Sequence, residues 1–518
     1  MNFRLFFLCI LFSFGYGLKA QVLNTDVSHL SFYSENEKLA FTNYLKDSSQ
    51  IVPLMGIIGN DGKYEPERYQ KHIDEIIAKL QEQGVQSKKP KKQVKLIYNS
   101  VHDVFFTQYK DQITFSDIFV SGHYNCVSAT AIYAIVLEKL GIPYSLKEEP
   151  NHVYLMAYPG KENIIMESTS PANGYQMIPL HTKQVMVQQL IEQKIITKND
   201  VAQLGIEGAF HKYFYGNSTV SMSDLISMMY TNEAYFAIQM EEYKKGRIAM
   251  EKAYRLVNSK KIEQSLMASI FMELNALDDL SLDYAKTVVK LSKFMDRAGV
   301  NRSEIVGEFN RFLQYYLLNK NDKQKYDEIH QIFSKVEDEE ALNEINFNFY
   351  YEQARMQFNR RRGDLALPLV EEALSYDSAS VIGYELLSFC ILQQASKPQL
   401  TTEGRLAYVN KYLGSYPKLE KEPKIESIIL SCYIDFVSTN VHKRRISEAV
   451  KYLSLFEDKY DPATHYEIPV QNLVLMYDQL GMYYFKSRQT TKAKRVFQKG
   501  LEYVPSAYVL RQKLDILL

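Results

Sequence analysis

Residues 121–146 read "SGHYNCVSATAIYAIVLEKLGIPYSL". Ala129, Ile132, Tyr133, Val136, Leu137 and Leu140 recur at helical spacing, so the segment after Cys126 is expected to be a helix with an apolar side. Gly141 is a stop signal, with Pro143 two residues beyond. Gly122 permits a tight turn just before the helix. Cys126 then falls in the first turn, where free N–H groups and the positive end of the helix dipole favour a thiolate. The same N–H groups can bind the oxyanion formed when sulfur attacks an acyl carbon. A cysteine in this position is either a packing residue or a nucleophile, and the sequence around it has to decide.

A thiol nucleophile needs a base that takes and returns a proton, and a third group that orients the base. Downstream, "HVYLMAYP" (152–159) and "NIIMEST" (163–169) read as short strands separated by the turn chemistry of Pro159-Gly160. His152 opens the first strand and Glu167 closes the second, so a hairpin makes them neighbours. The spacings are 26 residues from Cys126 to His152 and 15 from His152 to Glu167. Singly, each residue could be structural; together and in this order they form a candidate Cys126–His152–Glu167 site. His123 is a second candidate base or an oxyanion-side residue, and Asn125 could shape the oxyanion hole. Gln108 and Gln112 are candidate amide donors upstream, and Asn173-Gly174 reads as a turn.

A cysteine at a helix head, a Leu140-Gly141-Ile142-Pro143 exit, a histidine on the next strand and an acid on the following one resemble the transglutaminase-like superfamily, whose fold is papain-like. The resemblance covers about residues 95–180. It implies an α+β domain with Cys126 as nucleophile, His152 as general base and acid, and Glu167 as orienter. Two features depart from the family: many relatives carry Asp where Glu167 stands, and animal members use a tryptophan near the oxyanion, whereas this chain has no tryptophan.

Other segments frame this region. "ERYQKHIDEIIAKLQEQG" (67–84) is an amphipathic helix with Ile73, Ile76, Ile77 and Leu80 on one side. Lys88–Lys95 is expected to be a basic linker, followed by a helix over "VKLIYNSVHDVFFTQY" (94–109). From about residue 220 strand signals fade and paired helical patterns take over. In "YDQLGMYYFKSRQTTKAKRVFQKGLEYVP" (477–505), Tyr477, Leu480, Gly481 and Tyr484 fall on one face. Ala493, Phe497, Gly500 and Leu501 form the facing stripe, and Pro505 ends the pair. This unit resembles a tetratricopeptide repeat. Weaker units carry Tyr351, Ala354 and Phe358 with Ala366, Val370, Ala373 and Leu374. Ala249 with Ala253, and Ala449 with Leu453 and Phe456, mark further second helices, and Ala507–Leu518 is a candidate capping helix. Such units stack because none can bury its apolar face alone. An irregular helical bundle is the alternative.

The first residues bear on location. Arg4, the apolar run Leu5–Phe14 and the small Ala20 make a secretory signal, expected to be cleaved after Ala20; an uncleaved anchor is the alternative. With 61 basic and 61 acidic residues, nothing suggests a nucleic-acid surface. Beyond the signal only Cys126, Cys390 and Cys432 remain, too few for a disulfide framework. Cys390 and Cys432 lie in apolar helical sequence and are expected to be buried. The expected organisation is therefore a signal at 1–20, a transglutaminase-like α+β domain at 21–215 and an all-α repeat region at 216–518. The expected function is exported cysteine-dependent acyl transfer on a protein or peptide, by hydrolysis or transamidation, with the repeats holding substrate or a protein partner. No metal, cofactor, nucleic acid or membrane span of the mature chain is expected. The competing expectation is an inactive transglutaminase-like scaffold whose repeats bind proteins.

Overall fold

The computed structural model describes residues 26–517 except 61–63, 150–151, 168, 170–173, 177–178, 215–218, 298 and 466–467. The expected signal and Asn173 lie outside the described residues. The described chain is mostly helical, with two small sheets. It forms two compact units that divide after Thr287. The boundary expected at residue 215 falls inside the first unit. Thr219–Val220 completes that unit's sheet, and Lys252 ion-pairs with Glu37 where both are buried.

In the first unit the helix Cys126–Lys139 is the central element, with Val127–Leu137 buried without interruption. Its start is a capping box: Asn125 accepts from the Ser128 N–H at 2.9 Å, while Ser128 Oγ accepts from the Asn125 N–H at 3.0 Å. Its end is a Schellman turn, with Gly141 at φ +67°. There the Ile142 N–H donates to the Leu137 carbonyl at 2.9 Å and the Gly141 N–H to Glu138 at 3.0 Å. The helices Pro66–Glu82 and Pro90–Phe105 flank it. Lys88–Lys95 is therefore not a linker throughout: Pro90 is the first residue of the second of these helices, where its missing N–H costs nothing. That helix stops at Phe105, short of the expected end at Tyr109, because Gln108–Tyr109 (β1) pairs in parallel with His123–Tyr124 (β2). Gly122 makes this pairing close. It sits at φ +73°, and a β-carbon there would lie 1.7 Å from Thr107 Oγ1.

The larger sheet contains β3 (Tyr144–Glu149), β4 (His152–Ala157), β5 (Ile164–Met166), β6 (Tyr175–Gln176) and β7 (Thr219–Val220). All pairings are antiparallel, in the order β6-β5-β4-β3-β7. The Cys126 helix is tied to β4 by Thr130 Oγ1, which donates to the Val153 carbonyl at 3.2 Å. Tyr154, Met156 and Ile165 pack with Val187, Leu190, Ala209 and Phe210 of the helices Leu180–Glu192 and Lys198–Phe214.

Paired helices begin within the first unit, at Met222–Gln239 with Tyr243–Leu256, and recur in the second. There Glu339–Asn359 pairs with Gly363–Tyr376, Pro423–His442 with Ile446–Glu457, and Val470–Lys486 with Thr490–Tyr503. The four turns share one geometry. Glu241, Arg361, Arg444 and Arg488 each adopt φ near +60° (57–62°). In each turn the next residue's N–H donates five residues back, from Glu242 to Ala237, Arg362 to Gln357, Arg445 to Asn440 and Gln489 to Tyr484, at 2.8–3.0 Å. A small buried residue follows at one fixed position in the second helix: Gly246, Ala366, Ala449 or Ala493. The last pair packs closely, since a β-carbon on Gly481 would lie 2.3 Å from Phe497 Cε1. Tyr508–Asp515 follows as a short final helix. Cys390 and Cys432 are fully buried in Val381–Ala395 and Pro423–His442, and burial pushes their thiols up to about 12 and about 11. No helix among the described residues is long and apolar enough to cross a membrane.

Candidate active site

Cys126 is the first residue of its helix and is partly exposed. Of the amides at this helix start, the capping box uses those of Asn125 and Ser128. The Cys126 N–H lies in the first turn, beyond the reach of any intrahelical carbonyl. The structure brings His152 and Glu167 to this sulfur. The register Leu155↔Met166, continued by one residue, sets Glu167 opposite Tyr154 and makes His152 its diagonal neighbour on the same side of the sheet. His152 Nε2 is 2.9 Å from Glu167 Oε2, and the ring lies near enough to Cys126 for the sulfur to act on its charge. With Nε2 taken by Glu167, Nδ1 is the nitrogen left for the sulfur.

Glu167 is itself held from several directions. Its Oε1 accepts from the Thr169 N–H at 2.9 Å and from Thr169 Oγ1 at 2.6 Å. Its backbone carbonyl accepts from the Tyr98 hydroxyl at 2.8 Å. Tyr98 in turn stacks on Tyr133 of the Cys126 helix, with ring centroids 5.3 Å apart. The Glu167 backbone is thereby tied to the Cys126 helix through two aromatic rings.

The charges follow from these contacts. The nearby Cys126, then the hydrogen bond to Glu167, push His152 up to about 10 against burial. Burial pushes Glu167 up, but the bonds from His152 and Thr169 prevail and bring it down to about 2. Histidine is therefore held as imidazolium, and glutamate as carboxylate, across neutral pH.

The remaining expected residues go elsewhere. Asn125 is the helix cap, and its amide also donates to the Asp111 carbonyl at 3.3 Å; it is not aimed at a reacting group. Gln112 donates to Gln239 at 3.3 Å and lines a cavity of about 310 Å³ together with Asn125, Val127, Phe115, Met229 and Phe236. Gln108 stands opposite His123 in the small sheet. Two residues not anticipated as site residues do belong to it. Thr169 fixes Glu167; its signal in the sequence is a hydroxyl two residues after a carboxylate, the spacing of a side-chain-capped turn. Tyr109 lies near Cys126 and Asp111, both of which act on its phenol, and nothing in its local sequence sets it apart from the rest of the chain's 39 tyrosines.

Among the described residues no group of three or more His, Cys, Asp or Glu could hold a metal ion. No model of a known protein family matches the chain, and no curated protein is significantly similar to it.

Proposed function

We propose that this chain is an exported, cysteine-dependent acyl-transfer enzyme with a transglutaminase-like, papain-like first domain, acting most directly as an amide or peptide hydrolase. The observation that carries this reading is the hydrogen-bonded series Thr169–Glu167–His152, with the imidazole beside a partly exposed Cys126 sulfur at a helix head. In the proposed reaction the Cys126 sulfur, its proton on His152, attacks the carbonyl carbon, and the π pair moves onto oxygen. Collapse of that intermediate breaks the C–N bond as His152 gives its proton to the leaving amine, leaving a thioester. Water then adds, losing its proton to His152, and the second collapse returns the sulfur as leaving group. An amine in place of water gives transamidation by the same steps.

The paired helices, with their shared turn geometry and small-residue positions, support a tetratricopeptide-like array that holds the protein substrate or a partner. Export is proposed from the N-terminal apolar run alone. The test is a mixed peptide library offered to the full chain and to Cys126→Ala in parallel. Cleavage or cross-linking by the wild type alone is expected; equal product from both would refute the reading.

A further inference from the structure

Oxyanion stabilisation is the part of this chemistry that the triad does not supply. We propose that Tyr109 is the oxyanion donor of the Cys126 site, its phenol O–H binding the carbonyl oxygen as it becomes negative. This rests on the acyl-transfer reading above.

The position follows from the backbone. The parallel register pairs Tyr109 with Tyr124, two residues before Cys126. The Lys110 N–H donates to the Tyr124 carbonyl at 2.9 Å, and Asn125 binds the Asp111 carbonyl at 3.3 Å. The segment 109–111 is thus fastened on both sides to the residues that open the Cys126 helix. Tyr109 packs edge-on against Tyr124, with ring centroids 5.8 Å apart, and its phenol is near enough to Cys126 for the sulfur's charge to act on it. Successive strand residues point to opposite sides, so the register that brings Tyr109 to Cys126 turns Gln108 away.

The direction of the reaction selects the same residue. His152 must protonate the leaving nitrogen, so that nitrogen faces the imidazole. The carbonyl oxygen then points away from His152, toward the donors that remain around the sulfur: the Cys126 N–H and the Tyr109 O–H. The Gln112 amide donates to Gln239 and the Asn125 amide to the Asp111 carbonyl, so both are engaged elsewhere. Burial, then the charges of Cys126 and Asp111, raise the Tyr109 phenol above its ordinary value, so it remains a donor wherever the enzyme works. At rest the phenol lies near both the Asp111 carboxylate and the sulfur. When sulfur attacks, negative charge leaves it for the carbonyl oxygen, and the phenol follows the charge. A donor that gains strength as the charge develops lowers the barrier, whereas one bound equally before and after does not.

Two reactions of the same sulfur separate this role from the triad. Alkylation by iodoacetamide displaces iodide at a saturated carbon and forms no oxyanion. Acylation by p-nitrophenyl acetate forms one before p-nitrophenolate leaves. Both rates are measured on the full chain, wild type and Tyr109→Phe, with labelling at Cys126 located by mass spectrometry and folding checked by circular dichroism. Phe keeps the ring against Tyr124 and removes only the hydroxyl from a side chain that is 40 % exposed, so the variant is expected to fold. The ratio of acylation to alkylation is expected to fall about 10²–10³-fold in Tyr109→Phe. An unchanged ratio, with both reactions proceeding, overturns the assignment of Tyr109 and leaves the Cys126–His152–Glu167 reading standing. A wild-type Cys126 that is neither alkylated nor acylated near neutral pH overturns both.

Discussion

Replacing Glu167 with Gln changes one charge and reverses one hydrogen bond, and the structure says which. Thr169 presents two donors to Oε1, its N–H at 2.9 Å and its hydroxyl at 2.6 Å. The glutamine carbonyl should keep that place, which puts the –NH₂ where Oε2 now faces His152 Nε2 at 2.9 Å. A donor then meets a donor unless His152 gives up its Nε2 proton. Both effects disfavour the imidazolium. Loss of an opposite charge at this range moves a pKa by about 1–3 units, or about 1.4–4 kcal/mol. From a starting point of about 10, His152 should fall to roughly 7–9, and the surviving neutral ring should carry its proton on Nδ1. The measurement is a titration of the full chain labelled with [13Cε1]-histidine, His152 being assigned by its absence in His152→Gln. Any acyl-transfer activity should lose its alkaline limb in parallel, because the imidazolium is the proton donor to the leaving group. A wild-type His152 that titrates in the ordinary histidine range, or a midpoint that Glu167→Gln leaves in place, would refute the argument.

The same pair sets a pH dependence of stability. Glu167 is depressed, so its contribution is complete above 4.5 and is lost as pH falls through about 2; His152 is raised, so its contribution is complete below 6.5 and is lost as pH rises through about 10. The gap in melting temperature between wild type and Glu167→Gln should be widest between pH 4.5 and 6.5 and close toward both extremes; a gap independent of pH would contradict this. Cys126→Ala should abolish acyl transfer while shifting stability by no more than about 1 kcal/mol, checked by chemical denaturation. Native alkylation should label Cys126 and spare Cys390 and Cys432, which are fully buried with raised pKa values. In the second unit, Gly481→Leu drives side-chain atoms into Phe497 and should destabilise the last helix pair by about 1–3 kcal/mol. Hydrogen exchange should rise in Val470–Lys486 and Thr490–Tyr503 and stay unchanged around Cys126, because repeat arrays couple mainly between neighbours.

Local chemistry carried much of this protein openly in the sequence. The Cys126 helix was legible from its apolar period and from Gly141 at its end, whereas Asn125, read as an oxyanion-side residue, is its cap. The hairpin that joins His152 to Glu167 was legible because one turn and a two-residue period determine which side chains are neighbours. Gly481 and Ala493 announced a close helix pair because only small residues permit that approach. The fate of Lys88–Lys95 was misread for a local reason, since charge suggested a linker where Pro90 was opening a helix. Tertiary structure alone decided the rest. Tyr109 lies 17 residues before Cys126 and reaches it only through a parallel strand pair, a contact that no periodicity encodes. The first unit runs past residue 215 because Thr219–Val220 supplies an edge strand and Lys252 a buried partner for Glu37. Those are pairings between residues tens to hundreds of positions apart. They depend on which surfaces meet after the local elements have formed, and a sequence read window by window cannot contain them.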